Sequence, residues 1–378
     1  MFSFQVSTGF GLESLARAEM EALGVKVLSV ANGAVFAEGN ARDLAKMQLW
    51  LRTAERVYLV LSRFAAQDFD DLFEGMTAIA WEDIIPGDAA IGVACGLAGN
   101  AAITSARSAQ SIGKRAIIDR LRAYSGREFF PESGEAYRVM LDIAAGSVAV
   151  LLDSCGDGLH RRGYRLEPGA APLRETTAAA MIMLADWKSE QEIVWDPFCG
   201  SGTIAIEAAM READIAPGLM RYFSSEYWSF LDHAIFENER LEARARAEAG
   251  AARPAAIIRA SDISAEAISI ADSNIRRAGV GGRIRLFKAD ARSLAQPDKS
   301  ALFLTNPPYG ERLGDEEETA ENLSGFFDSL EQFRVPWRAA LLSPERDLAR
   351  LGITKRYGKN RKLYNGKLRV WLYFFGGE

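Results

Sequence analysis

Apolar positions along the chain switch between two periods, and each switch marks an element. Phe4-Gln5-Val6-Ser7 alternates as a half-buried strand, and residues 12–23 carry a helical stripe. Residues 25–30 and 34–37 return to strand, 43–53 read as helix, and 57–61 run apolar as a strand. This βαββαβ order predicts a small ferredoxin-like α+β unit over residues 1–64. Residues 70–79 are then helical and 90–95 open a further sheet. Ile112, Ala116, Ile117 and Leu121 stripe one face of a longer helix. Residues 136–144 and 147–153, joined near Gly146, read as a hairpin that closes a second unit over 65–155.

From Gly156 the pattern changes. Residues 156–174 combine glycine and proline with the basic run His160-Arg161-Arg162-Gly163-Tyr164-Arg165, which predicts a connection between domains. A helix over 175–187 precedes a regular alternation: strand 192–195, the Ile204 helix, strand 256–259, helix 265–277, strands 284–288 and 301–304, helix 323–333, strand 339–342. Such alternation predicts a doubly wound, Rossmann-like parallel sheet over 175–378, so the fold class is α/β with α+β units in front. Asn365-Gly366 centres a terminal hairpin that adds antiparallel strands. Residues 217–250 form an insertion, and its aromatics Tyr222, Phe223, Tyr227, Trp228 and Phe230 read first as packing residues.

Composition removes several chemistries. The 378 residues hold three cysteines, Cys95, Cys155 and Cys199, with no CxxC spacing, so neither a disulfide framework nor a zinc site is expected. A reducing, cytoplasmic setting is the simpler expectation. Two histidines, His160 and His233, are too few for a polyhistidine metal centre, and no metal is expected. No apolar run approaches the roughly 18 residues of a spanning helix, and Met1-Phe2-Ser3-Phe4 opens as a strand rather than a leader.

Candidate chemistry sits at the expected strand ends. Asn306-Pro307-Pro308-Tyr309 follows an apolar strand; its prolines donate no N–H and leave bare carbonyl acceptors. An amide oxygen and those carbonyls can accept both hydrogens of a planar amine, while Tyr309 stacks on the base that bears it. Asp196-Pro197-Phe198-Cys199-Gly200-Ser201-Gly202-Thr203 lies between a strand and a helix, where backbone N–H groups meet a ligand without Cβ interference. Taken alone this turn also fits a nicotinamide fingerprint. Asp262 and Asp290 end the next two strands, with Ile263 and Ala291 beside them. Cys199 reads as a small packing residue.

In order and spacing these motifs resemble the class I S-adenosylmethionine-dependent amino-methyltransferases. With the 158–165 run and Ala171-Pro172-Leu173-Arg174-Glu175-Thr176, the whole chain resembles the bacterial THUMP-domain ribosomal-RNA guanine-N2 methyltransferases, relatives once catalogued as N6-adenine DNA methylases. The resemblance implies S-adenosylmethionine as cofactor, held by Asp196, Phe198, Gly200, Gly202, Thr203, Asp262, Ile263, Asp290, Ala291 and Asn306, with Thr176 closing over it. It implies a THUMP unit at 65–155 and RNA, most simply large-subunit ribosomal RNA, as partner.

The net charge of −6 sits awkwardly with RNA until its distribution is read. Arg107, Lys114, Arg115, Arg120, Arg122 and Arg127 crowd one helix, and a second basic run spans 350–369, including Lys359 and Arg361. Arg107, Lys114, Arg115, Arg122, Arg161, Arg162, Lys359 and Arg361 are the expected RNA contacts, and Arg312 is a candidate phosphate ligand. Two other readings stay open: an N6-adenine methyltransferase on DNA or RNA, and a catalytically silent RNA-binding assembly factor.

Overall fold

In the computed structural model, residues 1–98, 102–165, 173–308, 315–346, 348–351, 353, 357–366 and 368–376 are described. The first half runs β1 (Phe2–Thr8), α1 (Glu13–Ala22), β2 (Lys26–Ala31), β3 (Ala34–Gly39), α2 (Ala41–Trp50), β4 (Ala54–Ala65), α3 (Phe69–Thr77), β5 (Ala90–Leu97), α4 (Ala106–Ser125), β6 (Ala136–Ala144) and β7 (Ser147–Asp153). Helix α2 starts where the Asn40 side chain accepts from Arg42 N and Asp43 N while Asp43 caps back onto Asn40 N, a capping box. The ferredoxin-like order is present, and the sheet continues beyond it as β2-β3-β1-β4-β7-β6-β5. Strand β4 is the joint. It runs past the expected Leu61 to Ala65, through an irregularity between Val60 and Ser62, and pairs antiparallel with β7. The expected boundary near residue 64 thus falls at the end of a strand inside one continuous sheet.

The second half runs α5 (Glu175–Leu184), β8 (Ile193–Asp196), α6 (Thr203–Glu212), α7 (His233–Ala251), β9 (Ile258–Asp262), α8 (Ala265–Arg277), β10 (Ile284–Lys288), β11 (Ala301–Thr305), α9 (Asp315–Glu331), β12 (Trp337–Ser343), β13 (Lys359–Asn365) and β14 (Leu368–Phe375). Its sheet has the order β10-β9-β8-β11-β12-β14-β13, five parallel strands followed by the antiparallel hairpin. Strand β8 pairs with β9 on one side and with β11 on the other, so the winding reverses between β8 and β11. A ligand crevice in such a sheet opens at the carboxyl ends of those two strands. Helix α5 stops at Leu184 rather than Trp187 because Asp186 turns left-handed, with φ +49°. The terminal hairpin pairs Asn365 with Leu368, so Gly366, at φ +67°, opens the turn one residue later than Asn-Gly centring predicts. The Asn365 side chain is used elsewhere: its Oδ1 accepts from Arg174 N at 3.0 Å.

The insertion packs away from the sheet that carries it. Phe223, Trp228, Leu231, Phe236 and Ala243 join the hydrophobic core of the first half. Trp228 is fully buried and stacks on Tyr137, with centroids 6.0 Å apart. Gly218 N donates to Leu49 O at 2.9 Å, and a Cβ on Gly218 would lie 2.6 Å from Gln48 O, so only glycine permits this approach to α2. The linker is equally embedded. The Arg162 side chain is 1% exposed and lies against a fully buried Glu207, Nε to Oε1 3.3 Å. Its Nη1 donates to Leu159 O at 2.7 Å and Nη2 to Arg52 O at 2.5 Å, while Tyr164 OH donates to Glu207 Oε1 at 3.3 Å. This corrects the expectation that Arg162 contacts RNA: the fold consumes its guanidinium where the two halves meet, as a buried charge requires.

Candidate functional site

The carboxyl ends of β8, β9 and β11 bring the sequence motifs together. After Asp196 the chain turns through Gly200 (φ +49°) and Gly202 (φ +80°) into α6, so two positions in this turn need the left-handed freedom of glycine. A Cβ on Gly200 would meet nothing within 4 Å, so the space in front of this turn at the start of α6 is open. Helix α8 braces the turn from behind, with Asn274 Nδ2 donating to Ser201 O at 2.9 Å.

Two acids hold the turn from either side. Asp262 Oδ2 accepts from Gly200 N at 3.0 Å and Oδ1 from Ser264 N at 2.9 Å. Each oxygen keeps a further lone pair, so the carboxylate suits a ligand with neighbouring hydroxyls. Ile263, 57% exposed at the end of β9, and half-buried Phe198 supply apolar surface near it. Asp196 is 3% exposed; its Oδ1 accepts from Phe198 N at 3.2 Å and from Thr305 Oγ1 at 2.8 Å. Burial, and then the neighbouring Asp262 charge, push its carboxyl up to about 7 despite those two hydrogen bonds. Thr305 ends β11 and Asn306 follows it, so one hydrogen bond ties the glycine-turn strand to the strand of the Asn-Pro-Pro loop. Sequence reasoning missed Thr305, whose only signal was its place before Asn306. Asn306 is half-buried, Pro307 buried and Pro308 exposed. Tyr309, Arg312 and the Ala171-Pro172 pair lie outside the described residues.

Other expected ligands are placed differently. Asp290 meets the Arg292 guanidinium through both oxygens, at 3.0, 3.1 and 2.7 Å, and accepts from Arg292 N. The Arg292 hydrogen bonds hold this half-buried carboxyl below its usual range, and a ligand amine would share it with that cation. Ala291 is buried beside it. Thr176 is fully buried and donates from Oγ1 to Glu55 Oε1 at 3.0 Å, a residue of β4 in the first half. Arg174 Nη1 reaches Glu55 Oε2 at 3.0 Å. No sequence signal linked Glu55 to residues so distant. Thr203 accepts from Arg165 Nη2, which anchors the start of α6 to the linker. Burial pushes the Cys199 thiol up, in keeping with its reading as a packing residue.

Of the expected RNA contacts, Arg107, Arg115 and Arg122 of α4, Arg161 of the linker, and Lys359 and Arg361 of β13 are exposed. Lys114 is half-buried and paired with Glu132 at 2.6 Å. Among the described residues no helix is long and apolar enough to cross a membrane, and no cluster of His, Cys, Asp and Glu could hold a metal ion.

The chain resembles known proteins over its whole length. Residues 162–372 match the RMKL-like methyltransferase domain family, and residues 3–58 match the RlmL ferredoxin-like domain. YpsC of Bacillus subtilis, whose name is "Putative RNA methyltransferase YpsC", is 35% identical over 96% of this chain and 93% of its own. Ribosomal RNA large subunit methyltransferase K/L of Pseudomonas entomophila is 35% identical over 99% of this chain, which spans 52% of that longer protein. The crystal structure of SMU.472, complexed with SAH, is 32% identical and superposes with a TM-score of 0.90 over 100% of this chain and 98% of that one. The glycine turn, the acids at successive strand ends and the Asn-Pro-Pro loop stand within the matched region, and this chain belongs to the RMKL-like methyltransferase family.

Proposed function

We propose that this protein transfers a methyl group from S-adenosylmethionine to the exocyclic N2 amine of a guanosine in large-subunit ribosomal RNA, in the cytoplasm. One observation carries the reading: Asn306-Pro307-Pro308 leaves β11 beside the buried Asp196 and its glycine turn, at the point where the sheet reverses its winding. Asp262 would take the ribose hydroxyls, Ile263 and Phe198 the adenine faces, and the Gly200–Gly202 backbone with Asp196 the methionine end. Asp290 and Ala291 would meet the adenine edge, Asp290 sharing its charge with Arg292. Thr176 would act through its hydrogen bond to Glu55 and Thr203 through the one it accepts from Arg165.

Bound S-adenosylmethionine supplies an electrophilic methyl on a sulfonium. The guanine amine is a weak nucleophile because its lone pair is delocalised into the ring. The Asn306 side-chain oxygen and the Pro307 carbonyl accept its two hydrogens and favour the pyramidal, cationic nitrogen of the transition state. Methyl transfer to the amine nitrogen would leave the electron pair of the broken sulfur–methyl bond on sulfur, and the proton displaced from nitrogen would pass to water. Tyr309, which follows this loop in sequence, is the residue expected to cover the extruded base. Support for the substrate comes from the names of the relatives and from the exposed cations on α4, Arg161 and β13.

The decisive experiment is transfer of labelled methyl from S-adenosylmethionine to hypomethylated ribosomal RNA, transfer RNA and duplex DNA, read as modified nucleosides. N2-methylguanosine in ribosomal RNA alone is the expected product. N6-methyladenine in any substrate overturns the guanine assignment, and cofactor binding without transfer to any substrate overturns the enzymatic one.

A further inference from the structure

The insertion and the linker face each other across a cavity of about 810 Å³ whose lining includes Arg161, Arg165, Arg174, Tyr222 and Tyr227. The insertion divides its aromatics in two. Phe223 and Trp228 are 2% and 0% exposed in the first core, whereas their chain neighbours Tyr222 and Tyr227 are 66% and 47% exposed. The exposed pair is therefore not needed for packing. Both tyrosines also line a second cavity, of about 420 Å³, together with Arg240 and Arg244. The Arg240 guanidinium lies 4.8 Å from the Tyr222 ring centroid, which fixes the ring by a cation–π contact. Two exposed rings thus stand in the wall between two cavities with arginines on both sides.

The floor reaches the candidate active site. Arg165 lines the first cavity and donates to Thr203 Oγ1 at the start of α6. Its other terminal nitrogen lies 3.5 Å from Glu175, so Arg165 fixes the inner end of the cavity against the start of α6. Among the described residues the Arg161 side chain meets only Asp157, at 3.3 Å, with both side chains more than half exposed, and a surface pair of this kind contributes little to stability. Arg221, by contrast, is fully occupied as a staple, its two terminal nitrogens donating to the carbonyls of Cys155, Asp157, Gly158 and Arg161.

We propose that this cleft holds a single-stranded segment of the RNA substrate, with bases stacked on Tyr222 and Tyr227 and phosphates met by Arg161 and Arg174. Aromatic faces alternating with cations are the chemistry that binds an unpaired strand, and a duplex has no free base faces to offer. The proposal rests on the RNA reading above and adds where the strand lies. It accounts for an insertion that leaves two tyrosines in water beside the linker.

The test measures anisotropy of a labelled single-stranded RNA of roughly 12 nucleotides, within the range one stacking groove covers, against the same sequence as a duplex. Full-length protein is compared with Y222A/Y227A and Y222F/Y227F, each first shown to bind S-adenosylmethionine as the parent does. The alanine pair should weaken single-strand binding by about ten-fold or more. The phenylalanine pair should stay close to the parent, and duplex binding should not change. Parent-like affinity in the alanine pair, equal loss in both pairs, or no single-strand binding by the parent each overturns the cleft. The methyl-transfer assay separates this from the functional reading. Parent-like turnover and KM on ribosomal RNA in the alanine pair would sink the cleft while leaving the activity standing, whereas a parent product other than N2-methylguanosine would sink the activity assignment itself.

Discussion

Helix α4 and the linker carry basic runs of similar density and use them in opposite ways. On α4, Ala109, Ala116, Ile117 and Leu121 take one face into the core, so Arg107, Arg115 and Arg122 are left outside, the last two sharing Asp119. In the linker there is no helical period, and packed protein lies on both sides. Arg161 faces water, Arg162 is sealed against Glu207, and Arg165 pairs with Glu175. A run of charge therefore reports its own orientation only where a regular element sorts the side chains. The same contrast separates two acids at strand ends: Asp196, sealed beneath the glycine turn, and Asp290, held at the surface by Arg292.

The contrast breaks hardest at Arg162. Arg162→Met leaves Glu207 buried without its cation and should lower unfolding free energy by about 3–5 kcal/mol. Urea denaturation reads this directly, and the double variant Arg162→Met/Glu207→Leu should recover much of the loss. A midpoint close to the parent's in the single variant would show that the pair is not stabilising the junction. Next is the pH response of Asp196. Its folded pKa of about 7 lies above the ordinary 3.8, so between those values the folded protein keeps a proton that the unfolded chain has lost. Its contribution to stability therefore falls as pH rises through that window and is level above it. Asp196→Asn should flatten the fall, measured as urea midpoint against pH; parallel curves for the two proteins would remove the shift.

Smaller effects sharpen the other side. Replacing Arg107, Lys114, Arg115 and Arg122 together by alanine should reduce the slope of log affinity against log salt for RNA by about 3. Thermal unfolding of the same protein should show little change, because surface substitutions of this kind stay within about 0.5 kcal/mol each. The smallest effect belongs to Arg161→Ala, within about 0.5 kcal/mol in stability, one position from the largest. If Arg161→Ala and Arg162→Met destabilised equally, the contrast drawn between neighbours would collapse.

Local pattern made much of this legible. The hairpin of β6 and β7, helix α8 and strand β10 occupy the expected residues, because their periods and breakers agree with their burial. The glycine turn and the Asn-Pro-Pro loop announced themselves by residue type. What escaped depends on long-range partners. Thr305 matters through Asp196, and Glu55 through Thr176 and Arg174. The length of β4 is set by its pairing with β7. Phe223 and Trp228 read correctly as packing residues, yet nothing in their spacing says that they pack on the other half of the chain.

That borrowed packing bears on how the polypeptide is made. A ribosome delivers the amino terminus first, and early domains ordinarily fold as they emerge. Here all seven strands of the first sheet are out once Asp153 appears, yet the slot beside Tyr137 stays empty until Trp228 follows. By then β8 and α6, which open the second sheet, have already been synthesised. The leading half must wait, incompletely sealed, for a segment carried inside the trailing one, so neither half reaches the nascent chain's final form alone.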